Sequence, residues 1–349
     1  MLDLFPQAWH SFQKKVADAR ELVRCTKSNA WFRGHGDQAW PLLPTLLRHG
    51  GRDETDGQAE VNSIKNAIAQ KKATLQEVYV DKTKLNKLMR AATEADRDRY
   101  RSFEERANEL KRETAALNKK LVRINARVLA ERDIFDEYTY RSGLGLGQSS
   151  WSVLVEMRHH GVPTRLLDWT DRIDIALYFA TRTIKSALSD GGADVYRLSA
   201  ASVNLVERCP NICVWALNPY AMAKRQAGRF SIVDVGREPE LDYYQSFFLR
   251  NDWPFDLPLP IFPPAQHTRV EAQKSYFTVQ GNRKAPMEVL TAHYSHVLHK
   301  IEFSKEEALC AIYYVEVMHG INDFEIFRDK DSLGRQLYRK FLDAQSWKK

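Results

Sequence analysis

Between residues 58 and 142 the chain contains neither glycine nor proline, and apolar residues return along it at a fixed interval. Phe103, Leu110, Leu117 and Ile124 recur every seven residues, and Ala107, Thr114, Leu121 and Val128 repeat that interval four residues on. This spacing keeps both sets on one stripe of an α-helix, the seam of a coiled coil. Ile64, Ile68, Leu75, Val78, Leu85 and Met89 carry a rougher version, with Lys71 and Lys82 at seam positions. The charged run at 93–99 predicts a corner between the two. Residues 58–142 therefore read as a long antiparallel helical hairpin, each arm about 30 residues and roughly 45 Å in length.

Outside this segment strand-like and helix-like pieces alternate. Leu4, Trp9, Phe12 and Val16 predict an amphipathic helix covering a core. Residues 29–34 (NAWFRG) form a short apolar strand ending at Arg33-Gly34. Trp151, Leu154, Val155 and Arg158 have helical spacing, and Gly161 with Pro163 stops that helix. Residues 164–169 read as a strand. Thr170 or Asp171 then suits the N-cap of a helix whose buried face is Ile173, Ala176, Leu177, Ala180, Ile184 and Leu188, ended by Gly191-Gly192. ADVYRL at 193–198 and ICVWAL at 212–217 return as strands. Ser304 and Glu307 form a capping box for a helix that closes around Gly320. The class is α+β with a mixed sheet, divided as 1–57 and 143–349 for the core and 58–142 for the inserted hairpin.

Composition narrows the setting. Of 349 residues 44% are hydrophobic, yet no apolar run reaches the length of a membrane-spanning helix. The N-terminus lacks the basic-then-apolar layout of a secretion signal, so a cytoplasmic protein with no membrane partner is expected. Cys25, Cys209, Cys213 and Cys310 read as reduced, mostly buried thiols. Cys209 and Cys213 have metal-like spacing without a second pair, and His293, His296 and His299 do not converge on one face of a helix or strand. No metal is predicted.

The formal net charge is +7, but 19 Lys/Arg and 14 Asp/Glu of the chain fall within 58–142. Charges of both signs interleaved on long helices describe a solvated face, which gives nucleic acid only weak support as a partner. The length of the helices points instead to self-association or a protein partner through 58–142. Neither a Walker loop nor GxGxxG is present, which excludes P-loop and Rossmann readings.

Polar residues are set densely among the apolar strands: Arg33, His160, Arg165, Asp168 and Trp169. An arginine flanked by Trp31 and Phe32 needs a carboxylate or a bound anion, because an unpaired buried charge costs several kcal/mol. Asp168 is the candidate partner for Arg33 or Arg165, either as a structural ion pair or as part of a binding site.

WFRGHGD with PLLPTLLR, then HHGVPTRLLDWTDRIDIALYFA, RVEAQKSYF and INDFEIFRDKDSLGRQLYRKF resemble the FRG domain family in order and wording, over about residues 28–341. Proteins of that family are bacterial and phage proteins. The order of elements also resembles the core of ADP-ribosyltransferases, with Arg33-Gly34 ending the first strand and Asp168-Trp169-Thr170 in place of a Ser-Thr-Ser triplet. Ala176, Phe179 and Ala180 lie on the following helix, and 195–198 forms the next strand. This second resemblance implies NAD as substrate, bound in a cleft of the core. Arg33 would take the pyrophosphate, assisted by Gly34, His160, Thr164, Arg165, Thr170 and Arg269, and Trp169 or Tyr178 would stack on a ring. The catalytic set would be Arg33 and Asp168 with Glu271 or Gln273, where the resemblance calls for a glutamate that steadies an oxocarbenium-like transition state. A glutamine in that place binds ribose without supplying the negative charge.

Three functions follow. The first is an NAD-using transferase or glycohydrolase, suited to a toxin or antiphage effector. The second is a non-catalytic module that holds a nucleotide or a nucleic-acid phosphate. The third is a metal-independent nuclease or hydrolase using His160 with Asp168.

Overall fold

The structure is a computed structural model and describes residues 5–25, 30–48, 58–88, 93–144, 148–191, 198–228, 230–264, 273–294 and 296–346. The described chain is mixed α and β, as the alternating pattern predicts. Its strands are β1 (Trp31–His35), β2 (Leu166–Thr170), β3 (Ile212–Leu217), β4 (Val233–Asp234), β5 (Leu259–Phe262), β6 (Ser275–Val279) and β7 (Leu298–Phe303). They form one mixed sheet in the order β4-β5-β6-β2-β1-β3-β7, parallel between β4 and β5 and antiparallel elsewhere. The helices needed below are α1 (Pro6–Asp18), α2 (Gln58–Leu88), α3 (Glu94–Ser142), α4 (Ser150–His159) and α5 (Ile173–Asp190).

Alternation along the strands divides the core between the two faces of the sheet. Phe32, Val214 and Ala216 turn toward α1, α5 and the helix Lys305–Ile312, in a cluster with Trp9, Phe12, Leu177 and Ile184. Trp31, Leu167, Trp169, Cys213, Trp215 and Leu217 turn the other way and pack with Leu42 and Met287. Of the apolar face predicted for α1, Trp9 and Phe12 are buried in the first cluster and Val16 packs against it, while Leu4 lies outside the described residues.

Helix boundaries follow local chemistry with three differences from expectation. Gly161, at φ +79°, and the two residues before Thr164 end α4 as predicted. The strand at 164–169 runs from Leu166 to Thr170, and α5 begins after an N-cap at Arg172, not at Thr170 or Asp171. Thr170 contributes two residues earlier, its hydroxyl accepting from the Arg172 backbone N–H at 3.2 Å. The predicted corner at 93–99 is already helix from Glu94, because Thr93 and Asp96 make a reciprocal capping box. The strand expected at 193–198 falls almost wholly outside the described residues, as do 89–92.

The hairpin arms are unequal: α2 has 31 residues and α3 has 49, the latter roughly 74 Å long at 1.5 Å per residue. Val61, Ile64 and Ile68 of α2 pack with Ile124 of α3, flanked by Leu117 and Leu121. Lys71 meets Glu113 at 2.6 Å and Lys82 meets Glu104 at 3.0 Å. The pairing numbers rise on one helix as they fall on the other, so the arms are antiparallel. Residues 54–145 form a compact unit together with 243–254, and the remaining residues form another. The 243–254 segment belongs there because the Tyr243 hydroxyl donates to the Glu131 carboxylate, and Phe135 lies 5.5 Å from Tyr244 and 5.8 Å from Phe248, ring to ring.

Candidate functional site

Within the core unit, β1 and β2 are neighbours that share one bridging pair, Phe32 with Thr170. On their outer sides they are fully laddered, β1 to β3 over five residues and β2 to β6 over five. Beyond the single bridge the two strands part, and their polar residues face a cleft of about 640 Å³. That volume lies within the range that encloses a nucleotide-sized ligand. Strands β1 and β2 supply Arg33 and Asp168, the end of α4 supplies Arg158 and His159, and α5 supplies Ala176, Phe179 and Arg182.

The centre of the cleft is a clamp of two guanidinium groups on one carboxylate. Arg158 donates through Nε to Asp168 Oδ2 at 2.9 Å and through Nη2 to the same oxygen at 2.5 Å. Arg33 donates through Nη1 to the Asp168 carbonyl at 2.8 Å and to Oδ2 at 3.3 Å. Burial alone would push the Asp168 carboxyl up, but Arg158 and Arg33 outweigh it and hold it at about 2. Burial lowers Arg33 to about 10 against the opposing pull of Asp168, and it stays cationic at neutral pH. The charge of Asp168 raises Arg158 further. Asp168 therefore serves as a fixed anion that orients two arginines, since a carboxylate this acidic is a weak proton acceptor.

His35 completes the clamp from behind. Two residues on from Arg33, it shares the same strand face, and its Nε2 accepts from Arg33 Nε at 3.2 Å. That bond requires Nε2 to be unprotonated, with any ring proton on Nδ1. Burial first, and then Arg33, lower its pKa to about 3, so the acceptor form is fixed at neutral pH. With Nε on His35 and Nη1 on Asp168, the remaining Arg33 nitrogen, Nη2, makes no hydrogen bond to the described residues; the same is true of Arg158 Nη1. Each guanidinium is held in place by the protein and retains a donor for something else.

The glycine after Arg33 has a packing cause. A Cβ on Gly34 would stand 1.9 Å from the Ala176 carbonyl oxygen and 2.7 Å from the Ala180 backbone nitrogen. Only glycine lets β1 lie this close to α5, which brings Ala176 and Phe179 over the strand that carries Arg33.

Of the residues singled out from sequence, Arg33, Gly34, Asp168, Trp169, Thr170 and Gln273 line the cleft. The indole of Trp169 packs on the other face of the sheet and donates to the Thr278 hydroxyl at 3.1 Å, away from any ring-stacking position. Tyr178 is buried, with its hydroxyl donating to Asp323 at 2.6 Å, so it is not exposed to a ligand. His160 is an exposed residue capping the end of α4, and its neighbour His159 lines the cleft instead. Thr164 is buried, its hydroxyl accepting from the Leu166 N–H at 3.3 Å, and Arg165 is buried at the foot of β2. Asp168 pairs with Arg33, one of its two expected partners, and with Arg158 in place of Arg165.

Gln273 precedes β6, which starts only at Ser275, and the intervening Lys274 has φ +46°. Its amide is held by the Ile326 carbonyl at 3.3 Å and by the Ser275 hydroxyl at 3.3 Å. It therefore sits just outside the regular strand. Arg269 and Glu271 lie outside the described residues.

Three contributors were not singled out: Arg158, His35 and Arg182. Arg158 carried a signal, since it stands on the otherwise apolar stripe of α4 and needs a partner for the reason given for Arg33. His35 could have been read from its strand position beside Arg33. Nothing in the spacing distinguished Arg182 from a solvated helix residue. No group of three or more metal-ligating side chains occurs among the described residues, and none of their helices is long and apolar enough to cross a membrane.

Residues 28–188 match the family model of the FRG domain. No curated protein and no solved structure matches the chain. The matched stretch begins just before β1 and ends within α5, so it contains Arg33, His35, Arg158, Asp168 and Arg182 and encloses the hairpin as an insertion. The arginines of the cleft, with Asp168 and His35, thus lie in the stretch that matches the FRG domain, whereas Gln273, Ser275 and Phe327, which also line it, lie beyond that stretch.

Proposed function

We propose that the cleft binds the pyrophosphate of a nucleotide, and that its substrate is NAD or a close relative cleaved at the bond between ribose and nicotinamide. The observation that carries this reading is the pair of oriented arginines, each with an unspent donor, beside a glycine-tight strand–helix contact. Planar guanidinium groups fixed in this way match phosphate oxygens in a fork geometry that lysine cannot reproduce. Three arginines line the cleft against one carboxylate among its described residues, so the site favours an anion.

In this scheme Arg33 and Arg158 hold the pyrophosphate, Asp168 and His35 orient them, and Phe179 offers an apolar surface to a ring. Gln273, which also lines the cleft, takes the ribose hydroxyls in this scheme, and Glu271 supplies the charge that steadies the oxocarbenium-like state. The C1′–N bond breaks with its electron pair leaving on nicotinamide. Water or an acceptor nucleophile adds at C1′ and loses a proton. Consumption or transfer of this kind suits a toxin or antiphage effector.

A second reading is a binding module that holds the nucleotide intact. It is favoured by one fact: Asp168, the carboxylate among the described lining residues, is already committed to two arginines.

Nicotinamide release by purified protein, with Arg33→Ala and Glu271→Gln as controls and folding checked by thermal melt, separates the two. Turnover lost in both folded variants supports the enzyme. A melting temperature that rises with NAD in the absence of turnover supports the module. Neither turnover nor a rise would sink the NAD assignment.

A further inference from the structure

A second cationic station lies along the same wall of the cleft. Arg182 of α5 lines the cleft, as do Ala176 and Phe179. It comes six positions after Ala176, about 9 Å further along the helix axis. Ala176 is the residue against Gly34, level with the clamp, whereas Gly36 approaches Thr183, beside Arg182. The clamp and Arg182 are therefore offset along the cleft.

Arg182 is held but not neutralised. Its guanidinium stands over the Phe327 ring at 5.3 Å from the centroid, a cation–π contact that fixes the long side chain against a cleft-lining aromatic. No carboxylate pairs with it among the described residues, in contrast to Arg172, which meets Asp174, and Arg328, which meets Glu325. Thr183, also lining the cleft, adds an exposed hydroxyl next to it. A positioned cation with a neighbouring hydroxyl and no acidic partner is complementary to a phosphate group.

From this we infer that the cleft is built for a nucleotide carrying two separate anionic groups, a pyrophosphate at Arg33 and Arg158 and a phosphomonoester at Arg182 and Thr183. The inference rests on the nucleotide reading above and adds to it the class of ligand: a nucleotide phosphorylated on its ribose as well as in its diphosphate bridge. Arg182 is then a specificity-determining residue, reading the group that distinguishes the phosphorylated from the unphosphorylated ligand.

The test compares ADP-ribose with ADP-ribose 2′-phosphate by titration calorimetry, on full-length wild type, Arg182→Gln, Arg182→Lys and Arg33→Ala. These ligands contain no nicotinamide bond to be cleaved, so binding is read without turnover. Wild type is expected to prefer the 2′-phosphate by about tenfold or more, the equivalent of one charge-assisted hydrogen bond. Arg182→Gln brings the two ligands to the same affinity, and Arg182→Lys retains part of the preference. Arg33→Ala weakens both ligands together. Equal affinities in wild type, or a preference that survives Arg182→Gln, would overturn the inference while Arg33-dependent binding upheld the nucleotide reading. If wild type bound neither ligand, both would fall.

Discussion

Two regions of this chain bring a basic side chain against a carboxylate, and the surroundings give the two arrangements different consequences. In the hairpin, Lys71 and Glu113 are 31% and 40% exposed, and water screens the pair. In the cleft, Arg33 and Arg158 are 13% and 19% exposed, with Asp168 a third open. The hairpin is held by its apolar seam and wears its charges outside. The cleft places its charges in the fold, at a point where two strands lose their ladder, and only mutual pairing makes that tolerable. What differs is whether removing a charge leaves another one stranded.

The largest effect expected is steric. Gly34→Ala puts a methyl group 1.9 Å from a backbone carbonyl of α5. A backbone atom cannot step aside as a flexible side chain can, so β1 and α5 must separate, at about 3 kcal/mol or more. Urea denaturation followed by circular dichroism measures this. A loss under about 1 kcal/mol would show that the strand–helix contact is not the reason for glycine here.

In the hairpin the comparable loss is apolar. Ile124 is fully buried in the seam against Val61, Ile64 and Ile68, so Ile124→Ala should cost about 2–4 kcal/mol. Asp168→Asn should come next, at about 2 kcal/mol. That is less than the 3–5 kcal/mol of a fully enclosed pair, because the carboxylate is a third open and partly screened. The same change should release Arg33 and Arg158 from their orientation, so ligand affinity falls with it. If Asp168→Asn left both stability and affinity unchanged, the clamp would be no different in kind from the hairpin pairs.

Acid separates the regions in another way. His35 has its folded pKa lowered to about 3, from an ordinary value near 6.5, so the unfolded chain binds its proton first. Its contribution is complete above about pH 6.5 and is lost as pH falls toward 3, at up to about 1.4 kcal/mol per pH unit. Asp168, also depressed, contributes above its ordinary carboxylate range and loses that contribution as pH falls toward 2. Wild type should therefore weaken in two stages below neutrality. His35→Gln, which keeps an acceptor for Arg33 without a titrating ring, should remove the upper stage. Urea midpoints between pH 7 and pH 4 measure it, and identical slopes for the two proteins would refute the assignment.

The same physics explains what could be read from the chain. Helices announced themselves wherever an apolar stripe ran long enough: the seam of 58–142, the face of α5, and Trp9 with Phe12 on α1. Boundaries were less legible, because local side-chain bonds set them: the Thr93–Asp96 capping box starts α3 at Glu94, and Thr170 takes the Arg172 N–H just ahead of α5. For the cleft, Arg33 and Asp168 stood out as charges among apolar strand residues. Arg158 is their partner through a tertiary contact between the end of α4 and β2, which no spacing encodes. The unequal arms escaped notice because the last third of α3 packs on 243–254, a hundred residues away in the chain, and so lies outside the seam pattern. Tyr178 illustrates the reverse error, since an aromatic expected to stack on a ligand ring is consumed by the core.

The smallest effect tests the hairpin's own exception, a lysine at a seam position. Lys71 reaches out of the seam to Glu113, and Lys82 does the same to Glu104. Lys71→Leu should raise the melting temperature slightly, because an apolar side chain at that position adds contact between α2 and α3 where the ammonium adds only a screened pair. It should also change the salt response. The wild-type melt should lose a little stability between 0.1 M and 1 M salt, where the Debye length shrinks from about 10 Å to about 3 Å, and the variant should lose less. A drop in melting temperature would mean that the Lys71–Glu113 pair fixes the register of the two helices, as a polar seam residue can. The hairpin would then resemble the cleft after all, with a charge pair specifying the structure around it.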